Sequence, residues 1–76
     1  MSFCYRKLRG RIIEKFGSVK AFAEAYGISL NSMSRKLNGK TTITTADIVK
    51  MSAPEFLDIA PNEVHEYFFV KKVQEN

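Results

Sequence analysis

Apolar residues recur at helical spacing through most of the chain. Tyr5, Leu8, Ile12, Ile13 and Phe16 lie on one arc of a helical wheel, and Gly17 stops the helix they predict. Ser18 is a good N-cap for a second helix, in which Val19, Phe22, Ala23 and Tyr26 follow at i, i+3, i+4 and i+7 before Gly27. Ser29 caps a third helix, with Leu30, Met33 and Leu37 as its apolar stripe, and Asn38-Gly39 closes it. Asn31, Ser34, Arg35 and Asn38 form a second stripe on that helix, made of short polar side chains and one arginine. A merely solvated face would more commonly mix Lys and Glu.

The second half is read from its caps. Thr44 caps a short fourth helix, with Ile43 and Ile48 at the two positions of a hydrophobic staple. Ser52-Ala-Pro-Glu55 has the form of a second capping box, with Met51 and Phe56 as another staple, and predicts a further short helix around 53–58. Pro61 at a first helical position starts a last helix through about Tyr67. Phe68-Phe-Val-Lys-Lys-Val reads as strand-like or extended. The expectation is an all-α fold: a compact bundle of five short helices, with helices two and three forming a helix-turn-helix, and a short extended C-terminal segment.

Composition bounds what such a bundle can do. With 76 residues, 45% of them hydrophobic, the chain makes one small domain, with a core over about 5–69 and a tail over 70–76. Its one cysteine, Cys4, excludes an internal disulfide, and no Cys/His cluster has metal-ligand spacing, so no metal and no cofactor are expected. No run of about 18 apolar residues exists, and no secretory signal opens the chain; a cytoplasmic location in a bacterial cell is expected. His65 stands alone beside Glu66, Cys4 has no histidine to activate it, and no Gly-rich phosphate loop is present, so an enzyme with a small-molecule substrate is not expected.

Charge adds a direction. Residues 1–40 carry nine basic and two acidic residues, a net +7, while residues 41–76 carry three basic and six acidic, a net −3. A basic half joined to an acidic half points to a polyanionic partner on one face.

The junction of helices two and three carries the most specific pattern. Ala23 lets the two helices cross closely, Gly27 permits the positive φ of a sharp turn, and Ile28 and Met33 anchor the third helix to the core. Ala23-x-x-x-Gly27-Ile28-Ser29, followed by Met33-Ser34-x-x-Leu37-Asn38-Gly39-Lys40, resembles the lambda-repressor-like DNA-binding domains of phage repressors and Cro proteins. The opening Leu8-Arg-Gly-Arg-Ile-Ile-Glu-Lys-Phe-Gly17 and the closing Glu66-Tyr-Phe-Phe69 look like one group of small phage and prophage proteins of this type from Gram-positive hosts.

The resemblance implies a homodimer that binds double-stranded operator DNA and regulates transcription by occlusion. The family's base-reading positions fall on Leu30, Asn31, Ser34 and Arg35. The chemistry of these side chains suits base reading. Asn pairs with adenine, Arg with guanine, Leu packs on a thymine methyl and Ser bonds a base or a phosphate. Leu30 reads equally as a core residue. Expected phosphate contacts are Ser18 with the first amides of helix two, Lys20, Ser29, Lys36, Lys40, Thr41 and Thr42, with Lys15 nearby.

This chain departs from the family pattern at several positions. Val19 stands where many relatives have a phosphate-bracing Gln. Leu37 stands where many have a Glu that pairs an arginine of helix one. Lys36 replaces a common apolar residue, which implies a stem on the core and an ammonium outside. The alternative function is an adaptor or antirepressor that keeps the fold and binds a protein. It predicts an apolar or acidic stripe on helix three, whereas Asn31, Ser34 and Arg35 are polar or basic. The apolar residues Phe68, Phe69, Val70 and Val73 read as core or as a dimer contact.

Overall fold

The fold begins with two glycines. Gly17 and Gly27 take φ of 86° and 97°, in the left-handed region that side chains disfavour, and each ends a helix whose last turn it caps through its own N–H. In this computed structural model, which describes residues 4–70, they separate α1 (Arg6–Phe16), α2 (Val19–Tyr26) and α3 (Leu30–Leu37). α4 (Thr45–Ser52) follows, then a 3₁₀ turn (Pro61–Glu63) that runs into α5 (Val64–Phe68). The expected five-helix, all-α architecture is found, and no strand occurs among the described residues.

α1 packs on α2 and on α5, α2 on α3, and α4 on α5. Each helix contributes to one core: Leu8 and Ile12; Phe22, Ala23 and Tyr26; Met33 and Leu37; Met51; Tyr67 and Phe68. Phe22 lies at its centre, with Phe16, Tyr26 and Phe56 around it at ring-centroid distances of 5.0, 5.7 and 6.1 Å. α5 closes the structure against α1. Lys7 pairs with Glu66 across that contact, and the Cys4 N–H donates to the Val70 carbonyl at 2.6 Å.

Three readings need correction. Ile13 is 54% exposed, because the buried arc of α1 runs through Leu8 and Ile12 with Tyr5 and Phe16 at its ends. The segment 53–58 is a turn and not a helix. Ala53 precedes Pro54, the proline ring disfavours helical backbone there, and Ala53 is extended (φ −60°, ψ 150°). Ser52 is therefore the last residue of α4 and not an N-cap, and its hydroxyl is buried without a hydrogen-bond partner. Leu57 and Ile59 insert into the core from this turn, and Arg11 of α1 holds it by donating to the carbonyls of Leu57 (2.9 Å) and Asp58 (3.1 Å). Lastly, Phe68 ends α5 and is core, while Phe69 and Val70 are about 40% exposed; Val73 lies outside the described residues.

Candidate functional site

The surface of α2 and α3 is built from its caps upward. The Ser18 hydroxyl accepts from the Ala21 N–H at 3.0 Å, fixing the start of α2. After Gly27, Ile28 anchors the turn on the core. The Ser29 hydroxyl accepts from the Ser32 N–H at 3.1 Å and donates to the Ser32 hydroxyl at 3.0 Å. Met33 and Leu37 then face inward, which turns the opposite side of α3 to solvent.

Asn31 and Arg35 are exposed on that side and Ser34 is half-buried between them. Leu30 is 45% exposed, so of its two readings the core one does not hold. Ser18, Lys20, Ser29, Lys40, Thr41 and Thr42 are all exposed around α3 or at the start of α2. The backbone beyond α3 folds back on it: the N–H groups of Lys40 and Thr41 both donate to the Arg35 carbonyl, at 2.9 and 3.2 Å. The Lys40 and Thr41 amides are thereby turned onto α3 and away from an anion.

Lys36 is placed differently from the other cations. Its side chain is only 16% exposed, and its ammonium lies 2.9 Å from Asp47 of α4 rather than in water as its position suggested. Arg9 of α1 donates to the Asn38 side chain at the end of α3. That contact supplies a brace between helices one and three, one residue after the position where many relatives use a glutamate. Arg11 and Lys7 are occupied by Glu14 and Glu66. Among the described residues, Lys15, Lys20, Arg35 and Lys40 have no ion-pair partner, and Glu24 is the one acid near them in sequence without a cation. Of the net +7 of the first half, α1 carries +4, α2 none, α3 +2 and the loop after α3 +1 through Lys40. With Lys36 paired to Asp47, Arg35 and Lys40 are the cations of α3 and its loop without an ion pair among the described residues.

Asp47 is the residue that sequence reasoning missed. Its carboxylate accepts from the Tyr26 hydroxyl, from Lys36 at 2.9 Å, and from the Thr44 N–H and hydroxyl at 3.0 and 3.1 Å. It therefore ties α2, α3 and the loop to the start of α4. Burial alone would raise its carboxyl, but the bonds from Tyr26, Lys36 and Thr44 outweigh that and hold it at about 2. The Tyr26 phenol is pushed up, first by burial and then by the bond and charge of Asp47. From the other side Lys50 sits 4.1 Å over the Tyr26 ring and donates to the Tyr26 carbonyl at 2.9 Å. Two sequence signals point to this residue. Lys36 at a commonly apolar position needs an anion, and Asp47 is the third residue of the helix that Thr44 caps, the place from which it completes a capping box.

No three or more His, Cys, Asp or Glu residues cluster to hold a metal among the described residues, and no described helix is long and apolar enough to cross a membrane.

Among solved structures, the chain is similar to the solution structure of the modulator of repression (MOR) of the temperate bacteriophage TP901-1 from Lactococcus lactis. The two share 39% sequence identity over 97% of each chain, with a TM-score of 0.79. That neighbour is a phage regulatory protein, which agrees with the phage character of the resemblance seen in the sequence. No curated protein matches the chain significantly. A family profile described as "Protein of unknown function (DUF739)" matches residues 1–71, and with more than half of its length so covered the chain belongs to that family.

Proposed function

We propose that this protein is a phage-type transcriptional regulator that reads double-stranded operator DNA with α3 and works in the cytoplasm as a homodimer. One observation carries the reading: the outward face of α3 presents Asn31, Ser34 and Arg35 beside Leu30, and the cations around it, Lys20, Arg35 and Lys40, have no acid partner among the described residues. Asn and Arg are the side chains that pair bidentately with adenine and guanine edges, and flanking cations set register on the phosphates. Ser18, Ser29, Thr41 and Thr42 add hydroxyls at the rim. Lys36 supports the surface from beneath through Asp47.

Selection of bound duplexes from a random library, at about 0.15 M salt to suppress loose phosphate binding, tests this reading. Two inverted half-sites about one helical turn apart are expected. On the selected site Arg35→Ala is expected to lose about 1–3 kcal/mol, with a much smaller loss on random DNA. Equal losses on both would reduce Arg35 to a phosphate contact.

A second reading is favoured by the name of the structural neighbour. A modulator of repression acts within a repression circuit. This protein would then bind a regulatory protein of that circuit through the same α3 surface. Failure to enrich any duplex, together with specific binding to such a protein that Arg35→Ala abolishes, would establish the second reading in place of the first.

A further inference from the structure

α4 has two working sides. Asp47, Lys50 and Met51 face α2, α3 and the core, whereas Ile48, Val49 and Ser52 lie on the other side of the helix, at 100° per residue. There they form one wall of a groove of about 450 Å³, completed by Pro54, Ile59, Pro61 and Val64. That volume is within the range of sites that enclose a ligand's apolar groups. Val49 is 69% exposed, more than any other large apolar residue among those described. Ser52, whose hydroxyl is buried without a hydrogen-bond partner, lies in the same groove.

The charged side chain that lines the groove and those that flank it along the chain are acidic, while the nearby Arg11 is paired with Glu14 and donates to the Leu57 and Asp58 carbonyls. Asp58 is the one charged residue that lines it, and Glu55 and Glu63 flank it on the segments that supply Pro54 and Val64. None of the three has an ion-pair partner among the described residues. Lys50, the one lysine or arginine between 41 and 70, is turned away onto Tyr26. A two-fold dimer through this groove would set two acidic rims against each other. An anionic duplex would be repelled from it as well.

We propose that the groove between α4 and α5 is a protein-docking site for a short amphipathic helix with an apolar stripe flanked by Lys or Arg. The apolar stripe covers Val49, Pro54, Pro61 and Val64, and the flanking cations meet Glu55, Asp58 and Glu63. The site lies across α4 from α3, so it can be occupied while α3 engages its own partner, and it stands whichever partner α3 has.

Two synthetic helical peptides with the same Leu/Ile stripe, one flanked by lysines and one by glutamates, test this against the isotope-labelled full chain by NMR. The lysine peptide is expected to shift the amides of Val49, Ser52, Ile59 and Val64 and to bind at least tenfold more tightly than the glutamate peptide. Val49→Lys, at an exposed position, should remove that binding and leave the thermal transition in place. Equal binding of both peptides, shifts confined to α3, or no shifts would overturn the proposal. So would groove shifts that grow with protein concentration without peptide, which would assign the groove to a second copy.

Discussion

Replacing Asp47 with alanine is expected to destabilise the fold by about 3 kcal/mol, which for a domain of this size lowers the melting temperature by about 12–24 °C. The substitution leaves four donors from three residues without their acceptor: the Tyr26 hydroxyl, the Lys36 ammonium and the N–H and hydroxyl of Thr44. Lys36 is the costly one, since its side chain is 16% exposed and that of Asp47 13%. Adding Lys36→Met to Asp47→Ala is expected to recover part of the loss, because the stranded charge is then gone. The same carboxylate makes stability depend on pH. Its pKa falls from 3.8 in the unfolded chain to about 2 in the fold, so its contribution is complete above pH 4 and is lost as pH drops towards 2. Subtracting the stability profile of Asp47→Asn from that of the unaltered chain should give a step of roughly 2 kcal/mol over that window. Chemical denaturation at several pH values reads both effects. A loss below about 1 kcal/mol for the alanine variant would mean that the α2–α3–α4 junction holds without this carboxylate.

Phe22→Ala is expected to cost more, about 4 kcal/mol. Phe22 is fully buried, with Phe16 and Phe56 set edge-on to it and Tyr26 tilted beside it. Removing its ring deletes apolar burial and three aromatic contacts and opens a void that the helices on either side must fill. A chain of this length has a total stability of about 4–11 kcal/mol, so the variant should show a broad or absent cooperative transition by circular dichroism. Phe22→Leu, which keeps most of the volume, should melt cooperatively. A sharp transition in the alanine variant with a loss under about 1.5 kcal/mol would show that the cluster collapses into the void at little cost.

α1, α2 and α3 are legible in the sequence because their signals are local. A left-handed glycine, a serine cap and an i, i+3, i+4 stripe act within one or two turns, and each reappears in the structure. The outward stripe of α3 can be read for the same reason. Ile13 is misplaced by the wheel, which shows that two isoleucines are adjacent but not where the neighbouring helices stop. Ser52-Ala-Pro-Glu55 misleads because a capping box looks alike whether a helix starts there or has just ended. The extended Ala53 before Pro54 decides between the two. The capping-box place of Asp47 is a local signal, but its bonds to Lys36 and Tyr26, 11 and 21 positions away, are made only through tertiary packing and are not legible. Which lysines remain available follows from those bonds: the charges of Lys36 and Lys40 count alike in the sequence, yet only Lys40 reaches solvent unpaired.

The closure of α5 on α1 has a consequence for the order in which the molecule assembles. α1, α2 and α3 touch partners next to them along the chain, so their mutual packing encloses only short loops. The pairing of Lys7 with Glu66 and of Cys4 with Val70 instead joins the two ends of the described chain, and it encloses nearly all of it. Ring closure over that many residues costs the most chain entropy of any contact in the fold. The α1–α3 unit should therefore nucleate folding, with α5 docking last and detaching first. Amide hydrogen exchange would register this as protection in α2 that outlasts protection in α5. Similar protection in both would mean that the chain opens only as a whole.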